Sequence, residues 1–333
     1  MPKIKNNTKK LKNDIILQDN DQDMDILQFI TKYTDLYINN KQSENLSKYT
    51  LRNIVLVLER FYQFIADEFT LDNNLTLHKF NRYFLNNYLL FSANQGLSPN
   101  SQKLHLTIIK NFLTFICDDD IKRYGFLRSN ISGTKIKTEH KEKAGFSQTD
   151  QKLIIKLLQR LDKKQSYMAQ RKSLIIKILL FTGIRASELI EIKWSNINEI
   201  DDNKHGLLYS ILIKGKGNKE RFAYIKYDIV SKNLAFVKKH SGNYERVFVT
   251  TQGNIMKPNN LYTEIKAELF KNGITKAGIH IFRHTFARNL VGQDVNLATI
   301  KDLLGHSNIT VTAQFYAKSD ENAKKNALFK NKL

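Results

Sequence analysis

The chain has one cysteine, Cys117, in 333 residues. An intrachain disulfide needs two cysteines and a Cys-rich zinc site needs more, so both are excluded. Cys117 follows the apolar stretch Phe112 to Ile116 and reads as a small core residue. A chain without structural disulfides suits a reducing, cytoplasmic setting. Proline and glycine are also sparse, at 3 and 14 residues. That composition favours helices over a turn-rich sandwich. No apolar run approaches the roughly 20 residues of a spanning helix. The first residues carry no apolar core of the signal-peptide kind. Membrane insertion is therefore not expected. Acid is short as well: 32 Asp and Glu stand against 53 Lys and Arg, a formal net charge of +21. Such a field attracts polyanions, which makes nucleic acid the first partner to consider and a membrane surface the second.

What is present reads as a mainly α protein of two domains, a number that suits the length. Residues 1–20 form a basic arm, with five lysines and no acids in the first thirteen positions. Residues 21–125 carry four apolar stripes at i, i+3, i+4 spacing, the mark of amphipathic helices in a bundle. The stripes are Ile26, Phe29, Ile30, Tyr33 and Tyr37; then Leu51, Ile54, Val55, Leu58, Phe61, Tyr62 and Ile65; then Phe80, Phe84, Leu85, Tyr88 and Leu89; then Leu104, Ile108, Ile109, Phe112, Phe115 and Ile116. Ser98 and Pro99 mark the start of the fourth helix. Residues 126–146 are polar, basic and aperiodic, and read as an interdomain linker. The second domain, 147–317, opens on a capping box from Ser147 to Asp150. Helical patterns run to about residue 192. LLYSILI (207–213) and FAYI (222–225) then flank a polar turn and predict a β-hairpin. Helical patterns resume to the end, where 318–333 form a short basic tail with an apolar knob at Leu328 and Phe329.

Five strings in the second domain carry chemistry. They are TGIRASELIEIKW (182–194), GKGNKER (215–221), HIFRHTFA (280–287), LGH (304–306) and TAQFYAK (312–318). Singly, each polar residue in them has an ordinary structural use, as an ion pair, a turn lysine, a helix cap or a core tyrosine. Together and in this order, the strings resemble the tyrosine recombinases, the family of Xer proteins and phage-type integrases. The resemblance covers nearly the whole chain beyond the first twenty residues. It implies a helical bundle of the SAM-like core-binding type, followed by a mostly helical catalytic domain with a small β-hairpin or sheet. The two would form a C-shaped clamp around DNA.

The resemblance also implies a role for each residue. Arg185 and Arg283 are the active-site arginines, with Glu188 as a supporting acid. Lys216, between two glycines, is the mobile lysine, ahead of Lys214 and Lys219 in the same turn. His280 and His306 are the histidines, and Tyr316 is the nucleophile. The residue types fit the reaction. Phosphodiester attack by a phenol accumulates negative charge on phosphorus oxygens, which guanidinium forks match and stabilise. A tyrosine with an ordinary pKa near 10 needs a proton acceptor and positive surroundings. His280 would accept that proton, Lys216 would protonate the leaving 5′-oxygen, and His306 would donate to a phosphate oxygen. The product is a 3′-phosphotyrosine, reversed by a 5′-hydroxyl, and the scheme requires no metal or nucleotide cofactor.

Lys48, Arg52, Lys103 and Lys110 lie off the apolar stripes, and with Lys219 and Arg221 they are candidates for DNA contact. The resemblance implies a double-stranded recombination site as substrate. It implies a tetramer of this chain on two sites, alone or with a sister recombinase, joined through tails docked on neighbouring protomers. A septal DNA translocase is the activator to expect, in the nucleoid-bearing cytoplasm. Xer-like resolution of chromosome dimers at a dif-type site is the leading function. A mobile-element integrase is the alternative within the class. A type IB topoisomerase and a DNA-binding protein with a dead site are the alternatives outside it.

Overall fold

The computed structural model describes residues 24–72, 75–136, 145–215, 219–276 and 278–305. The chain divides into two compact units, Met1–His140 and Lys141–Leu333. Among the described residues no helix is long and apolar enough to cross a membrane.

In the first unit, Asp25 caps α1 (Ile26–Ser43) by accepting from the Gln28 N–H at 2.8 Å. Its predicted stripe, Ile26 to Tyr37, is buried throughout. The unit continues through α2 (Lys48–Leu71), α3 (Arg82–Asn94) and α4 (Pro99–Asp119). Ser98 caps α4 through the Ser101 N–H, with Pro99 in the first turn as expected. The face of α2 is rotated from the predicted one. Val57 and Phe64 are buried, whereas Tyr62 is exposed, because α2 packs against α1, α3 and α4 rather than against one neighbour. Leu104 on α4 is likewise exposed, and Leu106 and Leu113 fill the core instead. Phe80 belongs not to α3 but to a 3₁₀ turn, Leu77–Lys79, which it closes. Asn81 then starts α3 by accepting from the Tyr83 and Phe84 N–H groups. Phe80 still reaches the core, stacked on Phe84 at 4.4 Å.

The linker expected from residue 126 begins later. Two short helices, α5 (Ile121–Tyr124) and α6 (Phe126–Asn130), close the first unit, and Leu127 and Ile131 are buried in its core. The polarity of this stretch hid two apolar anchors seated against α4. Lys110 is drawn into the same closure. Its ammonium donates to the Thr134 carbonyl at 2.8 Å, and burial and then Lys135 lower its pKa. It ties α4 to the chain after α6. Lys48, Arg52 and Lys103 remain exposed.

The second unit opens on α7 (Gln148–Asp162). Both arms of the Ser147–Asp150 capping box are made there, at 3.1 and 2.9 Å. Central α8 (Tyr167–Thr182) is apolar on several faces because α7, α10 (Tyr227–His240) and α12 (Ile279–Gly292) all pack on it. Each Leu or Ile it buries contributes about 1.5–3 kcal/mol. The predicted hairpin is present as β2 (Gly206–Lys214) and β3 (Glu220–Lys226). A third strand, β1 (Ile197–Asp202), pairs antiparallel with β2 and makes a sheet of order β1-β2-β3. Short α9 (Ala186–Ile190), α11 (Pro258–Phe270) and α13 (Leu297–Leu304) complete the unit. A separate small core, Ala287, Ile300 and Leu304 with Phe286 against it, joins α12 to α13.

Candidate active site

The site is built on two left-handed glycines. Helix α8 ends at Gly183, whose φ of 63° no side chain adopts readily. A Cβ there would also lie 2.4 Å from Phe286 and 3.0 Å from Leu304. Gly183 is therefore required both by conformation and by close approach of α12 and α13. The turn delivers Arg185 to the start of α9, where Glu188 accepts from its N–H at 2.8 Å. Helix α13 ends in the same way at Gly305, with φ 64°.

Three arginines converge on one carboxylate and one helix end. Glu188, with a side chain 4% exposed, accepts from Arg185 Nη1 at 2.8 Å. It also takes both ends of the Arg221 fork, Nη1 at 3.1 Å and Nη2 at 2.7 Å. The last carbonyls of α13 take the rest. Leu303 accepts from Arg221 Nε at 3.2 Å, Leu304 from Arg283 Nη2 at 2.7 Å, and Gly305 from Arg185 Nη2 at 3.4 Å. Arg283 also donates to the Gly183 carbonyl at 2.9 Å and is itself buried, 5% exposed. Carbonyls at a helix C-terminus carry the negative end of the dipole and suit cations.

The electrostatics follow from this packing. Burial pushes the Glu188 carboxyl up, but the Arg221 fork and the Arg185 amide outweigh it and hold the pKa at about 2. Arg283 is pulled down to about 9 by burial and then by Arg185, while Glu188 opposes the fall. It remains a cation at neutral pH. Three guanidiniums around one carboxylate leave an excess of two positive charges. Arg185 keeps its side chain 35% exposed and can present part of that charge to an anion.

The structure thus brings together Arg185, Glu188, Arg221 and Arg283. His280 stands exposed in the first turn of α12, three residues before Arg283. Lys216, His306 and Tyr316 lie outside the described residues, as do the arm 1–20 and the tail 318–333. Their chain neighbours are described. Gly215 closes the hairpin by donating to the Lys219 carbonyl at 2.8 Å, and a Cβ on it would sit 3.8 Å from both Arg221 and Glu188. A Cβ on Gly305 would sit 3.1 Å from Arg221. The strings bearing Lys216 and His306 therefore leave from the arginine cluster. Lys219 itself is exposed.

Arg221, expected as a DNA contact, is largely enclosed by protein: its side chain is 14% exposed, and Glu188 and Leu303 hold it. The signal that would have placed it is strand alternation. Arg221 shares a face with Ala223 and Ile225 and pairs across with Ile213, all three of them buried. Among the described residues no three His, Cys, Asp or Glu side chains come together as a metal site.

Residues 148–323 match the phage integrase family. Tyrosine recombinase XerH of Campylobacter jejuni is 31% identical over 243 residues, which span 70% of this chain and 66% of that protein. Tyrosine recombinase XerC of Staphylococcus epidermidis is 28% identical over 301 residues, spanning 86% and 92%. In fold, the chain is similar to XerH bound to a palindromic difH substrate in a post-cleavage complex, with TM-score 0.69, 21% identity, and coverage of 86% of this chain and 81% of that one. It is also similar to a lambda integrase dimer bound to a COC′ core site, with TM-score 0.62, 16% identity, and coverage of 87% and 78%. The match runs over more than half of the chain and takes in Arg185, Glu188, Arg221 and Arg283, so the chain belongs to the phage integrase family of tyrosine recombinases, alongside relatives of the Xer type.

Proposed function

We propose that this chain cuts and rejoins duplex DNA at a specific site through a covalent 3′-phosphotyrosine on Tyr316. The observation that carries the proposal is the arginine cluster. Arg185 and Arg283 are oriented by Glu188 and by the carbonyls of Gly183 and α13, at the place from which the strings bearing Lys216 and His306 depart. Arg185 and Arg283 clamp the non-bridging oxygens of the scissile phosphate. The charge is in place before the reaction begins, so stabilising the transition state costs no reorganisation. The Tyr316 oxygen forms the new bond to phosphorus as the bond to the 5′-oxygen breaks. His280 takes the phenolic proton and Lys216 supplies one to the leaving oxygen. His306 donates to a phosphate oxygen. The phosphotyrosine conserves the bond energy, so a 5′-hydroxyl from another strand reverses the step without ATP or metal.

The Xer-type relatives favour a chromosomal role, dimer resolution at a dif-type site, over a mobile-element integrase. The working assembly in this reading is a tetramer on two sites, passing through a Holliday junction. It consists of this chain alone or of this chain with a sister recombinase, and a septal translocase activates it. Both units contact the duplex, the first through exposed Lys48, Arg52 and Lys103 and the second through Lys219 near the reacting phosphate. The tail 318–333 joins neighbouring protomers.

The test is to incubate the protein with sheared genomic DNA, quench in detergent and sequence the DNA that stays covalently attached. Wild-type protein is expected to yield one recurrent site and Tyr316→Phe to bind DNA with no covalent product. Adducts that persist in Tyr316→Phe would refute the nucleophile, and adducts at random sequence would favour a topoisomerase.

A further inference from the structure

We infer that Arg221 is a positioning residue of the reaction: it locks the root of the β2–β3 hairpin to Glu188 and to the end of α13, and so holds three catalytic segments in one register. The inference rests on the recombinase reading above and deepens it.

The geometry singles out this side chain. All three guanidinium nitrogens of Arg221 have protein partners, two on Glu188 and one on the Leu303 carbonyl. No other described residue bonds at once to the acid that orients Arg185 and to the carbonyl one residue before the one that holds Arg283. Arg221 enters from β3, opposite Ile213 and one pair from the Lys214–Glu220 pair that ends the described ladder before residue 216. Three elements distant in sequence thus meet at one planar fork: helix α9, the hairpin and the C-terminal end of α13. A lysine offers a compact point charge without the planar fork that holds both carboxylate oxygens and a carbonyl in fixed geometry. A Cβ on Gly305 would lie 3.1 Å from Arg221 Cδ, Nε and Cζ, so α13 ends against this guanidinium. The partners also argue against a direct DNA contact. A phosphate taking the fork would have to displace Glu188 and leave a buried carboxylate without that partner, which is costly.

Small displacements of reacting groups are costly in rate, about 10²-fold for roughly 1 Å. Arg221→Ala should therefore slow cleavage without weakening binding. The full-length chain is tested on a nicked duplex carrying a site recovered by the covalent trapping above. Adduct formation is followed in a single turnover, with Kd measured across salt. For Arg221→Ala the expected result is adduct formation slower by about 10²-fold, with Kd within about twofold and an unchanged salt slope. Thermal melts of the same samples separate lost register from lost fold: a role confined to stability would lower the Tm but leave the rate per folded molecule at the wild-type value. Arg221→Lys should recover part of the rate, since it restores charge without the fork. Wild-type rate in Arg221→Ala overturns the inference. So does a salt slope reduced by about one with weakened binding, the signature of a lost phosphate contact. If Arg221→Ala fails to fold, Arg221→Lys decides alone: wild-type rate refutes positioning, and slow cleavage at an unchanged salt slope supports it. A wild-type chain that forms no adduct overturns the recombinase reading, and this inference with it.

Discussion

Glu188→Gln is the most informative single change to this scaffold. The substitution keeps the shape of the side chain and one acceptor oxygen, but it removes the charge and turns an amide N–H₂ toward guanidinium donors. Two arginines lose their shared counter-ion, and the cluster goes from an excess of two positive charges to three. The magnitude follows from the carboxyl itself. Its pKa is held at about 2 against an ordinary 4.5, which corresponds to about 3 kcal/mol of native-state stability at neutral pH. Breaking a buried ion pair by removing one partner independently suggests about 3–5 kcal/mol. For a unit of this size, about 2–4 °C of Tm per kcal/mol gives a drop of about 6–12 °C. The pH dependence has a definite sign. A depressed carboxyl stabilises the fold above its unfolded pKa and loses that contribution as pH falls toward the folded value. The gap between wild type and Glu188→Gln should thus be full above about pH 5 and fall to about half by pH 3. Thermal melts followed by circular dichroism at pH 7 and pH 3 read both. A Tm change under about 2 °C at pH 7, or a gap equally large at pH 3, would refute the view of Glu188 as the electrostatic hub.

Arg283→Ala should lose several kcal/mol of transition-state stabilisation, seen as lost adduct with retained site binding. It should also destabilise the fold by about 1–3 kcal/mol per unpaired carbonyl at Gly183 and Leu304, measurable in the same melts. Gly183→Ala places a Cβ at positive φ against Phe286, and about 2–4 kcal/mol of lost stability is expected by urea denaturation. Lys110→Ala should loosen the closure at Thr134 yet leave the salt slope of DNA binding unchanged, whereas Lys103→Ala should lower that slope by about one.

Much of this fold was legible because its signals are local. The stripe of α1, the Ser147–Asp150 capping box and the Ser98–Pro99 helix start each depend on residues within a turn or two of one another. Signals set by tertiary partners were harder to read. Strand β1 (INEIDD) has no apolar alternation and is mostly exposed, and it is a strand because β2 offers it a backbone edge. The buried face of α2 shifted toward Val57 and Phe64 because three helices, not one, surround it. Lys110 and Arg221 both looked like solvated cations, and both are tied to carbonyls far along the chain. The candidate site divides in the same way. For the described members, Arg185, Glu188 and Arg283, the residue types that come together were readable from the strings themselves, since each sits beside a glycine or a helix signal. What organises them was not, because a carbonyl carries no sequence identity. Leu303, Leu304 and Gly305 hold three different arginines through backbone oxygens, and no residue pattern announces that function. In a cluster with an excess of positive charge, the end of a helix supplies the negative potential that a second carboxylate would otherwise provide, and it leaves the arginines cationic and short of anions.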